Sequence, residues 1–304
     1  MSLDAVLIAG PTASGKSRLA MELAEHLSGV IINADSMQVY RELAVLTARP
    51  SAADEMRIPH RLYGHVNAGE RYSVGRFHEE AGAALVEARS ADRIAIFTGG
   101  TGLYFDALMN GLSPIPTVSA EVRESVKRRF ETMGREAFFE EFAARDPATA
   151  AKLRASDTQR IQRGAAVLEA TGRPLAEWQG VSGTPLLAGL RVARLVLAPP
   201  RDVLLERINR RFEAMVRQGA LEEANLLLCL DRTLPAAKAL GLPQLQEYLL
   251  GRITLEGAIA EGQSATRRYV KRQMTWLRNR MKEWTWFEEP QLSNIITYIR
   301  QKFT

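Results

Sequence analysis

The segment GPTASGKS, residues 10–17, follows five apolar residues, AVLIA (5–9), and precedes a run in which Leu19, Ala20, Leu23, Ala24 and Leu27 recur at helical spacing. A G-x-x-x-x-G-K-S pattern in that setting restricts the chain to a strand, a tight anion-binding loop and a helix in immediate succession. Gly10 and Gly15 let the backbone curl so that its N–H groups point inward at anionic oxygens. The helix N-terminus adds partial positive charge there. Lys16 is placed to reach a terminal phosphate and Ser17 to ligate Mg²⁺. These residues point to a polyphosphate ligand.

Three further apolar runs read as buried parallel strands: GVIINA (29–34), RIAIFTG (93–99) and RVARLVLAPP (191–200). Helical patterns separate them, as in a doubly wound α/β sheet. Between the last two lie some 75 residues that read as almost wholly helical, opening after LSPIPT and closing near GVSGTP. The expected organisation is a core of residues 1–116 plus 187–304 with a helical insertion over 117–186. In the insertion, Ser156 and Gln159 form an S-x-x-Q capping box that starts a helix. Ile161, Ala165 and Leu168 make its buried face, while Gln159, Arg160 and Arg163 fall on another. Arg123 and Lys127 flank an apolar Val122/Val126/Phe130 stripe. After Pro200 the chain reads as helical, with Gly219 a candidate helix C-cap. A last strand and helix are expected in the final 20 or so residues.

Two strand ends carry candidate chemistry. The second strand runs into NADSMQVY, and side chains just past a parallel strand face the ligand crevice. Asp35 therefore has three possible roles: general base, indirect Mg²⁺ ligand or helix N-cap. The third strand ends in TGGTGLYF, where Gly99, Gly100 and Gly102 permit close backbone approach and Thr101 offers a hydroxyl. A tight strand-to-helix turn explains those glycines equally well. An ATPase would carry Asp or Asp-Glu at that strand end for its metal. Its absence makes a substrate diphosphate as good a ligand for the loop as ATP.

The formal net charge is +5, and between Arg252 and Lys282 eight Lys or Arg face two Glu. Clustering of that kind fits a polyanionic partner. Val270, Met274, Leu277 and Met281 form the apolar stripe of a helix over 254–283, with Arg267, Lys271 and Arg278 off it. The single cysteine, Cys229, lies in ANLLLCL and reads as a buried thiol, which excludes a disulfide framework. No apolar run approaches the ~20 residues of a membrane span, and no secretory signal is visible. A cytoplasmic monomer is the expectation.

Six stretches in order along the chain resemble the tRNA dimethylallyltransferases, the bacterial tRNA isopentenyltransferases. They are GPTASGKS (10–17), DSMQVYR (35–41), GGTGLYF (99–105), DTQRIQR (157–163), TGRPL (171–175) and TRRYVKRQMTW (266–276). The resemblance implies a P-loop kinase-like parallel sheet core with a mostly helical inserted domain that clasps the anticodon stem-loop of tRNA. It implies transfer of a dimethylallyl group from dimethylallyl diphosphate to N6 of adenosine 37, in tRNAs reading codons that begin with U, with Mg²⁺ as cofactor. It places Gly10, Pro11, Thr12, Ala13, Ser14, Gly15, Lys16 and Ser17 on the diphosphate, with Ser17 also toward the metal. Asp35 falls on the family's general base, and Ser36, Met37 and Gln38 on contacts to the target adenosine. Thr101 matches a threonine near the reacting centre. Arg211 matches an arginine that assists at the diphosphate, with Arg207 one turn away as the alternative. Arg123, Gln159, Arg160, Ile161, Gln162 and Arg163 match tRNA contacts.

The chain departs from the family at PHRLYGH (59–65), at Glu42 and at ALGLPQL (239–245), and it lacks the paired-His zinc finger of some eukaryotic members. Three rival functions share some features: a free-adenylate isopentenyltransferase, a small-molecule kinase and a non-catalytic RNA-binding module. The long insertion and the basic C-terminal helix count against the first. DSMQVYR would have no purpose in the second.

Overall fold

The computed structural model describes residues 3–303. Six strands form one sheet: β1 (Ala5–Ala9), β2 (Gly29–Asn33), β3 (His60–Arg61), β4 (Ile94–Gly99), β5 (Val192–Leu197) and β6 (Thr285–Phe287). Their spatial order is β3-β2-β4-β1-β5-β6, and every pair is parallel. β1 and β2 are buried along their whole length, which is why they read as unbroken apolar runs. One face packs Leu7, Ile32 and Phe97 against Phe77, Tyr104 and Phe105. The other packs Val6, Ile8, Ile31 and Ile96 against Leu19, Leu23, Ile295 and Ile299.

Register brings the chemistry-bearing strand ends to one edge. Ala9 pairs with Gly99 and with Val196, and Asn33 pairs with Thr98. The loops after β1, β2 and β4 therefore leave the sheet side by side. The short β3 follows the 35–58 loop, and β6 with the Leu292–Phe303 helix completes the opposite edge.

The chain divides into two compact units, residues 110–185 and the remainder. The dividing points precede those read from the sequence by seven residues at the first junction and one at the second. The reason is local: Gly111, at φ +73, packs against the backbone of Gly183 and Thr184, and Gly183 against that of Leu112, so the LSPIPT segment belongs with the helices. The helical unit buries Val126, Phe138, Phe142, Ile161, Ala165 and Val167. Gly164 lets the Phe142 ring approach: a Cβ there would meet its Cζ at 2.7 Å.

Two local expectations are corrected and one holds. The Ser156 capping box does not form; the Thr158–Thr171 helix begins after Asp157, whose backbone carbonyl accepts from Arg160 and Ile161. Gly219 does end a helix, as its position suggested: at φ +111 and ψ 13 it leaves helical geometry at a kink between the helix that begins at Arg201 and the Leu221–Leu226 helix. Cys229 is exposed, because that last helix stops at Leu226 and the apolar run turns outward, leaving Leu226 itself 69% exposed. Among the described residues no helix is long and apolar enough to cross a membrane.

Candidate active site

The loop after β1 curls through two left-handed residues, Ala13 at φ 66 and Gly15 at φ 92, before the Lys16–Leu27 helix begins. Gly10 admits no side chain, since a Cβ would stand 2.7 Å from the Leu197 carbonyl oxygen. Ser14 donates its N–H to the Pro11 carbonyl (3.3 Å), and its hydroxyl is buried without a partner. Lys16 Nζ donates to the same carbonyl at 3.2 Å. Burial of the ammonium lowers the Lys16 pKa to about 8, with Asp35 opposing that shift and Arg211 adding to it. Thr12 and Ala13 line a cavity; the Thr12 N–H is already engaged, donating to Gln273 Oε1 at 3.0 Å.

The turn after β2 is fixed by Asn33, which is fully buried. Its Oδ1 accepts from the Asp35 N–H (2.9 Å), and its Nδ2 donates to the Asp35 and Leu62 carbonyls. Asp35 Oδ1 accepts from the Met37 N–H at 2.9 Å, an Asx turn. No helix follows it, so the N-cap role is excluded. Thr101 Oγ1 accepts from the Ser36 N–H (2.9 Å) and donates to Ser36 Oγ (3.2 Å), which locks the turn after β4 onto the Asp35 turn. A Cβ on Gly99 would lie 2.0 Å from the Ala34 carbonyl oxygen, so the glycine there serves close packing of those two turns.

The Asp35 turn opens into a cavity of about 280 Å³, whose walls include Thr12, Asp35, Thr47, Arg211, Lys238 and Tyr269, whereas Thr101 does not line it. Ser36 and Met37 also line it. Arg211 Nη2 donates to the Thr47 carbonyl at 3.2 Å. Burial pulls the Arg211 pKa down and Asp35 pulls it up, which places its charge within reach of Asp35 and Lys16. Arg207 is exposed and does not line the cavity, so of the two arginines Arg211 is the one at its wall. Gln38 does not line the cavity either: its Nε2 donates to the Thr47 and Ala48 carbonyls. The same 43–48 loop is held from behind by Glu223, whose carboxylate accepts from the Ala44, Val45 and Leu46 N–H groups at 2.8, 2.6 and 2.9 Å. Arg211 and Glu223 reach this loop from the two helices on either side of the kink at Gly219. Glu42, the departure noted in the sequence, accepts from Asn67 Nδ2 and the Ala68 N–H.

Ser17 is exposed and opens on a second cavity, of about 400 Å³, shared with Arg18, Arg49, His60, Tyr63 and Thr98. Thr98 Oγ1 is buried without a partner there. Burial and the nearby Asp35 both raise the Tyr63 pKa, so Asp35 lies within electrostatic reach of this second cavity as well as lining the first. Among the described residues no group of three or more His, Cys, Asp or Glu could cage a metal. A lone hydroxyl at the head of a helix, Ser17, fits Mg²⁺, which keeps several waters and takes other ligands from substrate phosphates.

Thr47, Lys238, Tyr269, Arg272 and Gln273 were not singled out from the sequence. Three of them lie in the 266–276 stretch on the Leu255–Arg280 helix. Thr266, Tyr269 and Gln273 repeat at i, i+3, i+7 beside the apolar stripe, a polar periodicity that could have marked them.

In the helical unit Arg123, Gln159, Arg160 and Arg163 are exposed and Gln162 is half-buried. Ile161 is fully buried in that unit's core, so its side chain is unavailable to RNA. Partial desolvation of its guanidinium and the neighbouring Arg123 both lower the Arg163 pKa, which marks two cations held close together. Arg129, by contrast, is neutralised by Glu141 and Glu169.

The IPP transferase family model matches residues 38–280. The tRNA dimethylallyltransferase of Bradyrhizobium sp. strain ORS 278 is 49% identical over 298 residues, covering 97% of either chain. That of Azorhizobium caulinodans is 52% identical over 284 residues, covering 92% of this chain and 90% of its own. The crystal structure of a tRNA isopentenylpyrophosphate transferase from Bacillus halodurans superposes with a TM-score of 0.71 at 30% identity, over 99% of this chain and 97% of that one. A eukaryotic dimethylallyltransferase acting on tRNA superposes with a TM-score of 0.75 at 27% identity, over 91% of this chain and 70% of that one. With the family model spanning most of its length and relatives near half identity from end to end, this chain belongs to the IPP transferase family.

Proposed function

We propose that this protein transfers a dimethylallyl group from dimethylallyl diphosphate to N6 of adenosine 37 in tRNAs reading codons that begin with U, releasing diphosphate. The observation that carries this reading is the convergence of Thr12 of the phosphate loop, Asp35 and Arg211 on one cavity, with Lys16 in electrostatic contact with the last two. An anion site and a carboxylate proton acceptor side by side suit displacement of a diphosphate by a weakly acidic N–H nucleophile.

In the step, the C1–O bond to diphosphate breaks, and its electron pair leaves on the diphosphate oxygen. The N6–C1 bond forms, and the N6 proton passes to Asp35. Charge grows chiefly on the leaving oxygens, where loop N–H groups, Lys16 and Arg211 stabilise it; removal of one such donor costs about 3 kcal/mol of barrier. Mg²⁺ held by Ser17 would supply further charge neutralisation on those oxygens. Asp35 keeps one carboxylate oxygen on the Met37 N–H, which aims the other. Thr101 holds that turn in place through Ser36 rather than through a free hydroxyl. The target base has to leave its stack to enter the cavity, at a few kcal/mol. Backbone contacts to the anticodon stem-loop offset this, and Arg123, Arg160 and Arg163 are the cations for them.

The test is incubation of the protein with Mg²⁺, labelled dimethylallyl diphosphate and unmodified tRNA, with AMP and ATP in parallel. Label on the tRNA adenine alone is the expected result. Label on free nucleotide would reassign the acceptor, and ATP turnover without transfer would overturn the reading of the loop.

A further inference from the structure

Gln273 joins the two halves of the site. It lies on the Leu255–Arg280 helix, 7% exposed, and each end of its carboxamide is engaged. Oε1 accepts from the Thr12 N–H of the phosphate loop at 3.0 Å. Nε2 donates to the Gly100 carbonyl at 2.9 Å. The partners fix the amide's orientation, because one is a pure donor and the other a pure acceptor. Gly100 leads into Thr101, whose hydroxyl holds Ser36 beside Asp35. A path of hydrogen bonds linked by single backbone steps thus runs from the leaving-group loop through Gln273 to the proton acceptor.

The same helix accounts for the glycines of the β4 turn. A Cβ on Gly100 would stand 2.3 Å from Gln273 Nε2, and one on Gly102 would stand 2.2 Å from Trp276 Cε3. Gln273 and Trp276 are three residues apart on one helix face. The turn is therefore shaped by the helix pressed on it as well as by the strand that precedes it.

We infer that Gln273 is a positioning residue for group transfer: it sets the distance and angle between the diphosphate held by the phosphate loop and the adenine amine held at Asp35, without touching either substrate. The inference rests on the reaction proposed above. In such a displacement an ångström of misplacement between nucleophile and leaving group lowers the rate by up to about a hundredfold. Binding of each substrate by itself does not require the two halves to be in register.

The test compares the unsubstituted protein with Gln273→Ala, Gln273→Glu, Gly100→Ala and the Gly100→Ala/Gln273→Ala double variant. It reads kcat, KM for each substrate, equilibrium binding of inorganic pyrophosphate and of tRNA, and Tm. Gln273→Ala is expected to lower kcat about 10- to 100-fold, with both equilibrium constants changed less than about threefold. Gln273→Glu still accepts from Thr12 but sets a carboxylate oxygen against the Gly100 carbonyl, so it loses as much. Gly100→Ala is impaired alone; its Cβ would stand 2.3 Å from Gln273 Nε2 and 3.3 Å from Asp35 Oδ2, so in the double variant it adds less than it costs alone, the larger clash being with the side chain already removed.

Full kcat in folded Gln273→Ala, or additive losses in the double variant, would overturn the inference. So would loss of pyrophosphate binding in step with kcat, which would make Gln273 a mere prop of the loop. Absence of transfer by the unsubstituted protein would overturn the reaction assignment and this inference with it. Transfer by that protein with an unimpaired variant overturns the inference alone.

Discussion

Lys16 predicts a specific pH profile. Its ordinary pKa of 10.5 falls to about 8 because the ammonium is buried at the head of its helix, with Arg211 nearby and only Asp35 in opposition. A drop of that size amounts to roughly 3 kcal/mol against the charged form. In the free enzyme the ammonium is present below about pH 8 and is lost as the pH rises through that value. One pH unit above the midpoint only about a tenth of the molecules carry the charge that meets the diphosphate, so kcat/KM for dimethylallyl diphosphate falls roughly tenfold per unit. Bound diphosphate favours the ammonium, so kcat itself holds to higher pH. The assay is initial-rate transfer at saturating tRNA from about pH 7 to about pH 10, with Lys16→Arg as the control whose guanidinium does not titrate there. Arg211→Ala removes a neighbouring cation and moves the midpoint upward. A wild-type kcat/KM that stays flat to about pH 10, or an alkaline fall unchanged in Lys16→Arg, would refute the reasoning.

Asp35→Asn retains an oxygen for the Met37 N–H, so Tm is expected to hold while kcat falls by about 10²–10⁴; near-normal turnover would remove Asp35 as the base. Glu223→Ala strips three N–H groups of the 43–48 loop of their acceptor. We expect a loss of about 2 kcal/mol in denaturant unfolding, with kcat lowered as Thr47 and Arg211 lose their footing, and an unchanged midpoint would show water replacing the carboxylate at no loss. Arg163→Ala should weaken tRNA binding, and the slope of log affinity against log salt should fall by about 0.7–0.9 for the lost phosphate contact. An unaltered slope would take Arg163 off the RNA.

β1, β2 and β4 were legible because they are buried almost throughout and read as unbroken apolar runs, and β5 because its apolar residues outweigh the one exposed charge, Arg194. β6, only partly buried, and the helix after it were legible from the short aromatic run and the apolar positions at the end of the chain. β3 was not, because two residues, His60 and Arg61, carry no period. Cys229 misled because an apolar run was taken as a buried face, whereas the helix that holds its first residues ends at Leu226. Gly219 was legible because a glycine in the left-handed region is the common way for a helix to end. Ile161 could be read as part of the buried face of its helix, but the same stretch was also read as an RNA surface. A helix cannot turn every residue of a contiguous motif to one side.

Local chemistry is what the sequence by itself determined. A glycine-flanked loop before a helix curls its backbone, and an aspartate just past a parallel strand faces the crevice, because backbone geometry within a few residues dictates both. The tertiary structure decided which distant groups share that crevice. Arg211 rather than Arg207 faces Asp35 because the helix that carries both turns one of them to the cavity wall and the other to solvent. Gln273 reaches Thr12 and Gly100 because the Leu255–Arg280 helix packs across two turns that the sheet register has already set side by side. Those contacts span most of the chain, and no local spacing encodes them; they exist only once the sheet has closed and the last long helix lies against its edge.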